Sequence, residues 1–187
     1  PNVSLSTLTV GLTLPLDACQ PTYFRVASLN WNGAPNYAAL GSTRNFDYGV
    51  IVSTHDLNIG GINIDSEIVI STSLLVSNVS CPVTYQLKAA TITAGSPWVV
   101  AISSGDDTLT VQALFNAVQP SSADFEEIDK LTDVPQDSSS TRFALGQSGA
   151  SVPISEDRLL WFKLGMPRRT STEADQQVRV TVIAVPH

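Results

Sequence analysis

Apolar and polar residues alternate at both ends of this chain. Val178, Val180, Val182 and Ala184 alternate with Arg179, Thr181, Ile183 and Val185 near the C-terminus. Near the N-terminus Val3 and Leu5 begin a similar row, and Leu8, Val10, Leu12, Leu14 and Leu16 continue it after a slip at Ser6-Thr7. Successive strand residues face opposite sides, so this spacing lays one apolar row along one face of a β-strand. A bulge at Ser6-Thr7 brings Val3 and Leu5 onto the face of the later residues. The segment 3–14 is about twice the usual strand length of 5–6 residues. An apolar strand of that length must join a sheet, in its own domain or in a neighbour's, because an uncovered apolar edge invites aggregation.

The same patterning recurs between the ends. Strands are predicted over 23–30, 46–52, 67–76, 83–89, 98–102, 109–115 and 158–164, with Val83, Tyr85, Leu87 and Ala89 on one face. Asn, Gly and Pro make 31–42 a loop, and Gly60-Gly61 reads as the tip of a hairpin. One short helix is expected at 124–131. Asp124 with Glu127 three residues on resembles a capping box, and Phe125, Ile128 and Leu131 fall at helical spacing. Residues 132–151 read as loop, and 168–175 as a polar linker before the last strand. About nine or ten strands with frequent turns predict an all-β fold, an antiparallel β-sandwich of immunoglobulin-like or jelly-roll type. The expected organisation is an N-terminal strand over 1–16 followed by a single sandwich domain over 17–187.

Composition narrows the function. Only 14% of the 187 residues are charged, against about a quarter in ordinary domains. Ser and Thr take the outward positions, as in extracellular β proteins. The net charge is −7 and the three lysines, Lys88, Lys130 and Lys163, form no basic stripe. Nucleic acid is therefore not an expected partner, nor is an anionic membrane surface. No apolar run is long enough for a spanning helix, so membrane insertion is not expected. A chain that starts at Pro1 rather than Met is expected to be a processed, mature form. Two cysteines in such a composition predict a disulfide, Cys19 to Cys81.

Candidate chemistry is sparse. Ser53-Thr54-His55-Asp56 contains the groups of a catalytic triad, but neighbours on a strand point to opposite faces and no glycine-flanked nucleophile is present. No catalytic residue is assigned, and no enzyme activity or cofactor is expected. The acidic groups Asp106-Asp107 and Asp124, Glu126, Glu127 and Asp129 match no calcium-loop spacing, and the two cysteines lack the partners zinc needs, so no metal site is expected. Trp161 sits inside an apolar strand and reads as core. Trp31, in a Gly/Asn/Pro-rich loop, is the candidate for stacking on a sugar. Asn2 and Asn78 each open an Asn-Val-Ser sequon and are candidate glycosylation sites.

Residues 73–80 (SLLVSNVS) and 83–88 (VTYQLK), with 159–164 (LLWFKL) and 178–183 (VRVTVI), resemble consecutive and closing strands of microbial secreted immunoglobulin-like domains. Such domains occur in surface proteins and in subunits of extracellular filaments of the TasA or bundling-pilus kind, where a strand of one subunit completes the sheet of the next. The resemblance implies a structural subunit at the cell surface that polymerises with copies of itself. Val3, Leu5, Leu8, Val10, Leu12 and Leu14 would then be its subunit-interface residues. A monomeric adhesin or carbohydrate-binding module using Trp31 is the alternative, and a viral jelly-roll capsid protein the third.

Overall fold

The computed structural model describes residues 27–29, 35–37, 49–53, 57, 59–79 and 81–186. The chain divides into two compact units, Pro1–Asp47 and Tyr48–His187. In the first, strands β1 (Ala27–Leu29) and β2 (Pro35–Tyr37) pair antiparallel, with Ser28 opposite Asn36. The second strand falls inside the stretch expected to be loop.

The second unit is built on strands. β3 (Val50–Val52), β4 (Glu67–Val69), β5 (Leu74–Asn78), β6 (Val83–Thr91), β7 (Val99–Val100), β8 (Thr108–Phe115), β9 (Gln136–Asp137), β10 (Asp157–Gly165) and β11 (Val178–Pro186) follow in order. One sheet has the order β3-β5-β10-β8-β7, with β4 also on β10; the other has the order β11-β6-β9. All-β is thus correct. The expectation of purely antiparallel sheets is not met, because β7 runs parallel to β8, Val99 opposite Thr108. The chain leaves β6 and crosses to the other sheet before reaching β7. Residues 101–107 then loop back to the start of β7, and a tight turn from Gly105 to Thr108, with Asp107 at φ 52°, starts β8 alongside it in the same direction.

Both sheets contribute to one core. The alternation read from 83–89 places Val83, Tyr85, Leu87 and Ala89 there, each fully buried. Across from them lie Val76, Leu109, Val111, Ala113, Phe115, Leu160, Phe162 and Leu164. The rings of Tyr85 and Phe115 meet at 5.9 Å between centroids. Desolvation pushes the Tyr85 phenol up to about 12.

The long strand expected over 67–76 is broken. β4 and β5 both pair with one edge of β10, in line, but Ile70, Ser71, Thr72 and Ser73 stand opposite only Trp161 and Phe162. Two surplus residues preserve the parity of the strand, so Ile68, Ile70, Leu74 and Val76 all still face the core. Among the described residues β3 pairs with β5 and β4 with β10, so these two strands are not the arms of the hairpin predicted at Gly60-Gly61.

The expected helix at 124–131 is replaced by two 3-10 turns, Ser122–Asp124 and Glu127–Asp129. Phe125 (ψ 116°) and Lys130 (ψ 129°) are extended and stop each turn. Tertiary burial explains the break. Phe125 turns down onto Trp161 and Leu114 on the outer face of the larger sheet, whereas Leu131 enters the main core. A continuous helix would place both on one stripe. Asp129, nearly fully buried, ties this segment down: it accepts the N–H of Glu126 at 2.9 Å and of Phe143 at 2.7 Å. Phe143 is itself left-handed (φ 58°) and fully buried.

Candidate subunit interface

Among the described residues strand β11 lies at an edge of the three-stranded sheet, paired along its nine residues with β6 only. The register, Thr181 opposite Lys88 and Ile183 opposite Gln86, fixes which main-chain groups remain. Ile92 N–H donates to the Gln177 carbonyl at 3.0 Å, so odd-numbered residues of β11 exchange hydrogen bonds with β6. In an antiparallel ladder the alternate residues then point the other way. The N–H and C=O groups of Val180, Val182 and Ala184 therefore face outward, and among the described residues they have no partner.

The same even residues carry the apolar row read from the sequence. Val178, Val180, Val182 and Ala184 pack against the main core, yet all four are only partly buried. By contrast the matching row on β6, the central strand, is fully buried. The core is thus covered by β6 and left partly open at β11. On the facing sheet the adjacent edge is β3, only three residues long, with Ile51 56% exposed. An open edge of main-chain donors beside a half-covered apolar row is suited to accept one further strand.

The other sequence-derived candidates fall differently. Val3, Leu5, Leu8, Val10, Leu12 and Leu14, with Asn2, Cys19 and Trp31, lie outside the described residues. Cys81 is disulfide-bonded. The side chain of Asn78 is fully buried. Its Nδ2, the atom a glycan would occupy, donates to the carbonyls of Cys81 at 2.7 Å and of Val152 and Pro153 at 3.0 Å each. A glycan on Nδ2 would displace these hydrogen bonds. The requirement for a donor at this corner was invisible in the sequon, which reports only local order.

Trp161 is core, as expected, with its Nε1 donating to the Asn116 carbonyl at 2.9 Å. Trp98 Nε1 donates to Thr170 Oγ1 at 2.9 Å and its ring joins the main core. Of the triad-like run only Ser53 is described, and its hydroxyl accepts the N–H of Leu75 at 3.0 Å. Several of the acidic groups are engaged internally. Asp124 accepts from the main chain and hydroxyl of Ser121. Asp107 accepts from the N–H and hydroxyl of Ser171, which hold its carboxyl below the usual carboxylate range. Among the described residues no cluster of three or more His, Cys, Asp or Glu could hold a metal ion. No described helix is long and apolar enough to cross a membrane.

A cleft of about 250 Å³ with a mixed polar and apolar lining lies beside the bulge, between Leu57, Ile59 and Ile68–Thr72. It carries no charged group. No family model matches the chain, and no curated protein or solved structure matches it.

Proposed function

We propose that this chain is a structural subunit of an extracellular filament or surface coat, a β-sandwich body joined to its neighbours by donated N-terminal strands. The observation that carries this reading is the edge of β11: outward main-chain groups without partners among the described residues, beside a row of core residues that remain half covered. The chain also contains a segment of the matching kind, the alternating residues 3–14. Main-chain pairing would supply affinity, and alternate side chains entering the open side of the core would supply specificity. The pairing of Cys81 with Cys19 belongs to the same proposal, as does secretion, which the low charge and the disulfide both favour.

The apolar gain and the cost of association are of similar size. Burying Leu8, Val10, Leu12 and Leu14 contributes about 6–10 kcal/mol by transfer free energy. Association costs about 4–15 kcal/mol in lost freedom, so the hydrogen bonds of the edge decide whether the contact holds. Deleting residues 1–14 tests the reading. The truncated chain is expected to fold, to elute as a monomer and to give no fibres or sheets by electron microscopy, while the full chain assembles. A truncated chain that assembles normally, or a full chain that stays monomeric, overturns it.

A further inference from the structure

We infer that the occupant of the β11 edge is residues 8–14 of a second copy, paired antiparallel, with Leu8 opposite Ala184, Val10 opposite Val182, Leu12 opposite Val180 and Leu14 opposite Val178. This rests on the strand-exchange reading above and adds to it the direction and the register.

The spans match one for one. The open row of β11 has four inward residues from Val178 to Ala184, and the donor has four apolar residues from Leu8 to Leu14 at the same spacing. Residues directly opposite on neighbouring strands share a face, so this register puts the donor's leucines on the core side. The opposite parity would turn them to solvent and bring Thr9, Gly11 and Thr13 inward. Pro15 follows directly, at an odd position whose main chain faces away from β11 in this register, so it costs the pairing no hydrogen bond.

Direction follows from two points. Every pair in the acceptor's own sheet, β11 with β6 and β6 with β9, is antiparallel, and antiparallel pairing is the more stable per residue. The second point is how the contact propagates. Val79 N–H bonds the Gly49 carbonyl, Val50 pairs with Asn78, and Pro186 pairs with Val83. The chain therefore enters this unit at the end where β11 finishes. An antiparallel donor leaves the acceptor at the other end, beside Val178. Donor and acceptor surfaces differ, so the contact is heterologous, and repetition gives an open fibre where the rotation does not close a ring.

The even residues of β11 point their main chain at the donor, so the odd pairs are the non-hydrogen-bonded ones, with Cα atoms about 4.5 Å apart and within disulfide reach. Thr9 and Ile183 form such a pair on the outer face. The test uses two differently tagged full-length variants, Thr9→Cys and Ile183→Cys, refolded together and oxidised, with the linkage mapped by mass spectrometry. The expected product is a mixed-tag dimer linked 9 to 183. Adding Val182→Pro to the acceptor removes one outward N–H and none of the β6-directed bonds, and is expected to lower the yield about tenfold. Thr181→Pro, which breaks the internal ladder, serves as the folding control.

Linkage of 9 to 183 within a single Thr9→Cys/Ile183→Cys chain and never between chains overturns the second copy as occupant. Linkage of Thr9→Cys to a cysteine at Arg179, in place of Ile183, overturns the direction. A full chain that assembles, and stops doing so when residues 1–14 are deleted, but gives no link at 183 leaves strand exchange standing and overturns this site.

Discussion

Replacing Asn78 by Ala removes a buried donor that three carbonyl oxygens share. The Nδ2 group reaches Cys81, Val152 and Pro153 at 2.7–3.0 Å, and the residue is completely buried. It joins the end of β5 to the turn that starts β6 and to the segment 152–153 that pairs with Val83. Each net hydrogen bond is worth about 0.5–1.5 kcal/mol, and a buried carbonyl left unpaired costs about 1–3 kcal/mol. With two N–H groups lost and at least one carbonyl stranded, the expected loss is about 3 kcal/mol, or roughly 6–12 °C in Tm for a unit of this size. Urea denaturation at pH 7 measures it. Asn78→Asp sharpens the argument. Its carboxylate would face three carbonyl oxygens in a buried corner, so its pKa in the folded state must lie above the unfolded value. Its stability is then greatest at low pH and is lost as pH rises through the folded pKa, whereas Asn78→Ala shows no such dependence beyond the parent's. Asn78→Ala within about 1 kcal/mol of the parent would refute the reasoning, because a donor that can be deleted at that cost is not holding the corner.

Further outcomes follow from the same structure. Desolvation of Asp129 outweighs the two N–H groups it accepts and raises its pKa. The folded state thus holds the proton more tightly, and the parent's urea midpoint, compared with Asp129→Asn, is expected to improve as pH falls from 7 through the folded pKa towards the unfolded one near 4; a difference that shrinks on acidification contradicts this. A Cβ on Gly149 would stand 2.6 Å from a buried Phe115 ring carbon and 2.7 Å from Ser138 Oγ, so Gly149→Ala is expected to cost about 1–3 kcal/mol by overpacking, read from thermal melts. Non-reducing peptide mapping is expected to join Cys81 to Cys19, the only other cysteine, and reduction to remove about 3–4 kcal/mol of stability; two alkylatable thiols in the native protein would remove the claim. Expression in a glycosylating host is expected to leave Asn78 unmodified in the folded, secreted chain, which intact-mass measurement decides.

Alternation by itself determined the strands that carry the core. The row Val83, Tyr85, Leu87, Ala89 and the row Val178, Val180, Val182, Ala184 both face inward as read, because a period of two needs only one buried face to be legible. The strand over 158–164 and the core position of Trp161 were legible for the same reason. Helical spacing at Phe125, Ile128 and Leu131 misled. Three apolar residues at intervals of three say nothing about whether one stripe or two separate cores will receive them, and here Ile128 is 39% exposed while its neighbours go to different cores. The broken strand at Ile70 to Ser73, the parallel β7 and the burial of Asn78 were likewise decided by what lies opposite in space. The candidate site divides along the same line. The sequence marked β11 as an apolar strand in need of a sheet, but side-chain patterning specifies faces, not edges. Every residue but proline carries the same N–H and C=O, so only the tertiary pairing of β11 with β6 determines that Val180, Val182 and Ala184 keep theirs turned outward.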